Sequence, residues 1–445
     1  MAKESIMKEK INLQMLREKV SGQEMMLFTV GSNILLYLVA FLTASPRELI
    51  QGMIQIVVSR DALITDYFVL AGTGAAFLNA ALVMTHCIVL LRAEKIPFTG
   101  PSMAVICINA GYALWGKNIL NIVPILLGTV IYAKVQHVHF GRYIYMALFG
   151  TALAPFVTEV LYMLPFSTPI NFVLAIVLGI FVGYIISPLS MHTASMHMGY
   201  NLFNVGFAAG ILAFVLVCVL RSMGLECEPV LVWQEGIQIS LAVGMYVYFL
   251  IAVVIGLLID KGKMNNLLHI FRHPGRAVAD FVLMDGPGAT LMNMGLVGMI
   301  CLTYILLIGG DLSGPVLGAI WMAFGFAAFG AHVKNYLPVL AGVFLYSFIS
   351  QYTATTPGIQ LAAIFAVGLA PIAGQFGIIP GIIAGALHST IVMCTTSMYG
   401  GLNLYNNGFS AGWVAVFMVP ALESFMRHFE DRKRRKKNKA TEEAK

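Results

Sequence analysis

The sequence predicts an all-α polytopic membrane protein of about 14 helical segments, built as two inverted seven-segment repeats, and three observations carry that prediction. Of the 445 residues 59% are hydrophobic and 11% charged, whereas a soluble chain carries about a quarter charged residues. Fourteen apolar stretches approach the ~20 residues that a helix needs to cross the hydrocarbon. A twelve-residue phrase, GYNLFNVGFAAG at 199–210, returns as GLNLYNNGFSAG at 401–412 with eight identical positions.

In chain order, residues 1–24 read as a basic cytoplasmic tail (Lys3, Lys8, Lys10, Arg17, Lys19), because basic flanks stay on the inner side of a membrane. Repeat one, 25–222, offers segments at 25–44, 67–91, 98–116, 119–135, 143–162, 169–189 and 202–221. An extracytoplasmic linker, 223–235, carries Glu226, Glu228 and Glu235. Repeat two, 236–426, offers 236–259, 282–308, 313–331, 333–350, 356–373, 376–396 and 407–426. Residues 427–445 form a second basic cytoplasmic tail containing RKRRKKNK at 432–439. The stretches 98–116 and 356–373 are short and rich in Gly or Pro, which marks them as broken or re-entrant. The more polar stretches 45–66 and 260–281 suit helices lying along the interface.

The repetition reaches well beyond the phrase. At an offset of 214, Asp66 matches Asp280, Asn79 matches Asn293, Gly100-Pro101 matches Gly314-Pro315, Gly111 matches Gly325, Asn121 matches Asn335 and Pro124 matches Pro338. From Thr151 and Thr353 onward an offset of 202 pairs Pro155 with Pro357, Pro169 with Pro371, Thr193 with Thr395 and Ser195 with Ser397. One twelve-residue insertion near the basic loop 134–142 reconciles the two offsets. Apolar composition alone does not pair Asn, Asp and Pro at constant spacing, so the chain is a duplication. An odd number of segments per copy turns the second copy over, and loops 92–97, 134–142 and 260–276 then place their Lys and Arg on the cytoplasmic side. Inverted repeats characterise secondary transporters, whose solute site lies near mid-membrane between the copies.

Polar residues kept in both copies are the candidate site, since hydrocarbon tolerates no unpaired polar group without a reason. Thr99-Gly100-Pro101-Ser102 and Ser313-Gly314-Pro315 each open a third segment, where free amides of a first turn attract anions or polar groups. Asn79 and Asn293 lie in the second segments and suit a hydrogen bond across helices or to a solute. The substrate-binding set is therefore Asn79, Thr99, Gly100, Ser102, Asn293, Ser313 and Gly314. Accessory candidates are Asn201 with Asn204 and Asn403 with Asn406, which fit solute contact and helix capping equally. Glu159, near an outer membrane face, and Lys117, which suits attracting an anion or reaching up to water, complete that group. No catalytic constellation is present, so the protein is not expected to be an enzyme, and no cofactor or metal site is expected. Six scattered cysteines show neither a disulfide framework nor zinc spacing. The expected partners are a small-molecule solute and the lipid bilayer, with a homo-oligomer left open and no nucleic acid.

The stretches DYFVLAGTGAAFLNA, GKNILNIVP and GLNLYNNGFSAG resemble a family of bacterial integral membrane proteins defined by a tandem domain of unknown function, from about residue 25 to 425. That resemblance implies a bacterial cytoplasmic membrane and supplies no substrate. The architecture is similar to that of the seven-plus-seven inverted-repeat transporters of nucleobases, sulfate and bicarbonate, which implies broken third and tenth segments whose half-helix ends meet at the solute site. Thr99–Ser102 and Ser313–Pro315 would hold those positions, although the eighth segment carries no coupling acid before Asp260. The functional expectation is a transporter of a small polar or anionic solute working by alternating access. The alternatives are a passive channel for a neutral solute, and a membrane-embedded enzyme or assembly protein in which the duplication serves packing.

Overall fold

Helices account for every segment the hydropathy anticipates. The computed structural model describes residues 2–61, 64–226 and 230–442, with side chains described between Gly22 and His428 apart from Ser397. Ser397, Cys227, Glu228, the basic residues of the N-terminal tail and those of the run 432–439 lie outside the described side chains. Ten helices among the described residues are long and apolar enough to cross a membrane. Their outer faces are apolar too: Ile170, Val173, Val177 and Phe181, like Val243, Val247, Leu250 and Val254, stand exposed. Rows of that kind suit a lipid solvent rather than water. The protein is an all-helical polytopic membrane protein.

The first copy runs α1 (Ala2–Thr43), α2 (Pro46–Val58), α3 (Tyr67–Ala71), α4 (Thr73–Ala93), α5 (Gly100–Tyr112), α6 (Val123–Val135), α7 (Ile144–Gly150), α8 (Ala154–Met163), α9 (Thr168–Met196) and α10 (Asn204–Ser222). The second runs α11 (Ile239–Ile259), α12 (Asn265–Ile270), α13 (Phe281–Met284), α14 (Pro287–Leu307), α15 (Gly314–Phe326), α16 (Val333–Tyr346), α17 (Pro357–Phe365), α18 (Ala370–Phe376), α19 (Ile378–Thr395) and α20 (Asn406–Glu442). In the polar stretch after the first span, α2 starts on a capping box of Ser45 and Glu48 with Pro46 in its first turn. It buries Leu49 and Ile56 and exposes Ile50, Ile54 and Val58, the pattern of a helix lying in an interface.

The counterpart of α5 in the second copy is α15 at 314–326, and the stretch 356–373 is broken as expected, running through α17, a 3₁₀ turn at Ala366–Leu369 and α18 as one interrupted span. Its counterpart α7–α8 is interrupted at Thr151–Leu153 in the same way. The register needs correction: Leu153-Ala154-Pro155 corresponds to Leu369-Ala370-Pro371, an offset of 216, so Thr151/Thr353, Pro155/Pro357 and Pro169/Pro371 are coincidences. The offset of 202 returns in the ninth helices, where Gly179 faces Pro124 as Gly381 faces Pro338, and Gly183 meets the Ile125 carbonyl as Gly385 meets that of Val339. The insertion therefore lies at 164–177 and is absorbed mainly by α9, which has 29 residues against 18 in α19. A helix extends at either end without disturbing its packed face, which is why this position tolerates it.

At the centre α5 and α15 pack side by side and antiparallel. Gly100 faces the Ala328 carbonyl, Gly325 faces Cys107, Gly111 and Gly318 meet backbone to backbone, and Gly314 faces the Leu114 carbonyl. Every residue of α15 is buried, and so is every residue of α5 but Pro101. The outer helices join through α10 and α20, where Gly206 lies on Tyr405, Gly210 on Phe409 and Gly412 on Phe207. This contact answers why the phrase is written twice: the two copies of it pack on each other.

Candidate functional site

The seven residues expected to form one site divide between two. Thr99, Gly100 and Ser102 lie beside the C-terminal end of α15, which Asn293 ties down by donating Nδ2 to the carbonyls of Ala327 and Ala331 at 2.8 and 2.9 Å. Ser313 and Gly314 lie beside the C-terminal end of α5, which Asn79 ties down by donating to Ala113 and Lys117, both at 2.7 Å. Thirteen helical residues span ~20 Å, so the two tips do not face each other across the pseudo-twofold axis. The glycine contact at Gly111 and Gly318 fills the space between them.

Neither tip is free. The Asp280 carboxylate accepts from the Gly100 amide at 3.0 Å and from Val282 and Leu283 of its own helix. The Asp66 carboxylate accepts from Gly314 at 3.1 Å, Phe68 at 2.8 Å and Gln234 at 3.2 Å. Each copy thus caps the broken helix of the other, and the positive end of a helix dipole meets a carboxylate of the protein.

The accessory asparagines are engaged in the same reciprocal way. Asn201 and Asn403 accept from the amides of Phe203 and Tyr405 at 2.9 and 3.0 Å, while Thr193 and Thr395 donate to Asn204 and Asn406, both at 2.9 Å. The Leu202 amide donates to the Gly368 carbonyl of the second copy, and Leu404 donates to Ala152 of the first. Capping and cross-copy anchoring account for these positions.

Lys117 does not reach water. Its ammonium lies buried, donating to Asn109 Oδ1 at 2.8 Å and Thr151 Oγ1 at 2.9 Å, 5.2 Å from the centre of the Tyr112 ring. Ala331 stands at the equivalent place in the second copy. Glu159 is buried and paired with Arg60 at 2.6 Å, so its role is an ion pair with the loop after α2. In that loop Asp61 is fully buried and accepts from Tyr67 at 2.6 Å, Thr158 at 2.9 Å and Asn121 at 3.0 Å. Burial pushes its carboxyl up to about 7, against the pull of those donors and with Glu159 adding to the rise. Since the unfolded carboxyl titrates near ~4, the folded protein binds the extra proton between about 4 and about 7, so stability should fall as pH rises through that window. Asp61→Asn should flatten the slope, read as thermal midpoint against pH in detergent; an unchanged slope refutes this assignment.

A cavity of about 260 Å³ opens beside the α5 tip, lined by Pro101, Tyr145, Phe149, Phe203, Asn204, Phe329 and Tyr405 among others, with the exposed Val278 at its mouth. Tyr145 reaches Ser102, hydroxyl to hydroxyl, at 2.8 Å. The positions equivalent to the first five by copy register are Pro315, Leu361, Phe365, Tyr405 and Asn406. All five are buried, whereas Pro101, Tyr145, Phe149, Asn204 and Phe329 are only half-buried. Phe203 and Tyr405, 5.2 Å apart between ring centres, separate the open side from the filled one. A larger groove of about 440 Å³ between α1 and α11 is walled by Leu27, Phe28, Leu35, Ile251 and Ile255 and faces outward, where a lipid chain would lie.

A family profile described as "Protein of unknown function (DUF1576)" matches residues 45–222 and 259–424, the two copies in turn. The chain belongs to this family. Comparison with curated proteins and with solved structures gives no match. The two matched stretches set the duplication on an observation independent of the glycine contacts. The aromatic wall escaped the sequence reading; of its members only Phe203 and Tyr405 carried a signal, since both fall inside the repeated phrase, beside the asparagines singled out there.

Proposed function

We propose that the protein is a transporter of a small polar solute, with its two copies inverted across the bilayer, both termini cytoplasmic, and access alternating between two equivalent vestibules. One observation carries the reading: equivalent positions of the two copies are unequally accessible, open around Phe149 and Asn204 and filled around Phe365 and Asn406. A repeat protein caught in one of two alternating states has this asymmetry, because exchanging the conformations of the copies would open the other side. Among the described residues the lining holds no Lys, Arg, Asp or Glu, so a neutral polar solute with a flat apolar face suits it better than an anion. Lys117 lies on the filled side, near Tyr112 and Trp115, and would enter the second vestibule when that side opens.

The packed α5–α15 seam favours a second reading, a membrane-embedded enzyme or assembly protein in which the duplication serves packing alone. Labelling separates the two. With the native cysteines replaced, Phe149→Cys is expected to react with a membrane-impermeant maleimide from the cytoplasmic side. Phe365→Cys should react more slowly and from the opposite side, and a solute found by thermal-shift screening of nucleobases, amides, small carboxylates and inorganic anions should change the two rates in opposite directions. If Phe365→Cys reacts from the same side as Phe149→Cys, or never reacts, the transport reading fails.

A further inference from the structure

Outside the cavity and the helix tips, one group of side chains is arranged for chemistry that neither reading uses. His269 on α12, His273 just beyond it and Asp285 at the end of α13 converge: His269 Nδ1 lies 2.5 Å from Asp285 Oδ1, His273 Nε2 lies 3.1 Å from Asp285 Oδ2, and the imidazole centres are 4.7 Å apart. The ligand-type atoms all fall within 4.8 Å of one another. The geometry points to a binding site for a divalent transition metal of the zinc class, held by these two imidazoles and one carboxylate.

Three features favour an ion over a pair of hydrogen bonds. The Asp285 side chain is 1% exposed, and among the described residues no lysine or arginine pairs with it. A buried carboxylate with no lysine or arginine partner favours a divalent cation, which would neutralise its charge. The donor set of two imidazole nitrogens and one carboxylate is the N₂O combination that suits Zn²⁺, Fe²⁺, Co²⁺ or Ni²⁺ rather than Mg²⁺ or Ca²⁺. The side chain of His269 is 56% exposed while His273 is mostly covered, so an ion can enter from solvent and keep open positions for water. In a tetrahedral shell of ~2.0–2.2 Å neighbouring ligand atoms lie about 3.4 Å apart, so the His269–Asp285 contact must open while the most separated ligand atoms close, and rotation of the exposed His269 ring supplies that movement.

The place of the site in the chain gives it a consequence. Segment 274–280 crosses the mouth of the cavity: Arg276 donates to the Met198 carbonyl at 2.5 Å, Ala277 to that of Gly199 at 2.9 Å, Val278 stands at the mouth, and Asp280 caps α5. His273 and Asp285 flank that segment on either side, so a metal joining them would pin both ends of the strap. The equivalent positions of the first copy are Gln55, Ser59 and Ala71, which offer no such donor set. The device belongs to one copy only, as expected of an addition to a symmetric machine.

The test uses the full chain purified in detergent and stripped with a chelator. Titrated with Zn²⁺, or with Co²⁺ as a visible-absorption reporter, it should take up one equivalent, rise in thermal midpoint and lose that rise when chelator is restored. His273→Gln and Asp285→Asn should each weaken binding by more than ~100-fold, beyond the ~10–100-fold typical of outer-shell partners. His269→Ala, at the surface, serves if either buried variant fails to insert, and His139→Ala on a different loop should bind as the parent does. Absence of a saturable single equivalent, or an isotherm unchanged in His269→Ala and His273→Gln, overturns the assignment. Neither outcome depends on whether the protein transports a solute.

Discussion

Gly111→Val is expected to destabilise the protein by about 2 kcal/mol or more, within the range of overpacked cores, and Gly318→Val is expected to match it. Two effects oppose each other at this position. Replacing a glycine inside a helix gains up to ~1 kcal/mol of backbone propensity, less for a β-branched residue. Against that, the first added carbon of Gly111 falls on the Gly318 carbonyl, and that of Gly318 on the Gly111 carbonyl. The obstacle is backbone on both sides, so no side chain can swing away. Nor can α5 slide, since Asp280 holds its first turn and Asn79 the carbonyls at its other end. The clash should win, with loss of folded protein after mild heating in detergent. Gly31→Val is the control, because a carbon added there meets nothing within 4 Å. If Gly111→Val and Gly31→Val melt together, α5 and α15 do not meet as described.

The helices and the duplication were legible because they are written locally: apolar runs of span length, Gly-Pro at the two short helix starts, and Asn, Asp and Pro recurring at a fixed offset. What joins distant parts of the chain was not. Asp66 and Asp280 were visible as a matched pair, yet nothing near either says that its carboxylate reaches a helix start 248 or 180 residues away in the other copy. Without that partner a Gly-Pro start reads as a free anion site, and the solute was placed where the protein's own carboxylates sit. The register slip at 151–169 arose because isolated Thr and Pro matches outweighed the three-residue match Leu-Ala-Pro, which carries more information than single identities. Lys117 reads as attracting an anion or reaching water because its acceptors, Asn109 and Thr151, come from a different turn and a different helix. His269, His273 and Asp285 are separated by a strap whose fold no periodicity announces.

Asp280→Ala and Asp66→Ala are expected to be equally damaging, and their effects to add. Each removal leaves three backbone amides without their carboxylate, one of them the first of a central helix. A buried donor left unpaired costs ~1–3 kcal/mol, so each variant should lose about 3 kcal/mol or more, while Asn, which keeps an acceptor oxygen, should lose far less. Burial pushes both carboxyls up, Asp66 to about 6, so ionising either one costs more in the folded protein than in the unfolded chain. Asp66→Asn should therefore also lose part of the fall in stability between about 4 and about 6. Additivity is the sharper measurement. Sites beyond ~7–10 Å with no shared partner add to within ~0.5 kcal/mol, and these caps lie at opposite ends of a ~20 Å helix pair. Were the two tips to meet at one mid-membrane pocket, removing the first carboxylate would dismantle the surroundings of the second, and the double variant would fall well short of the sum. Thermal midpoints of the two single variants and the double variant decide between a divided site and a shared one.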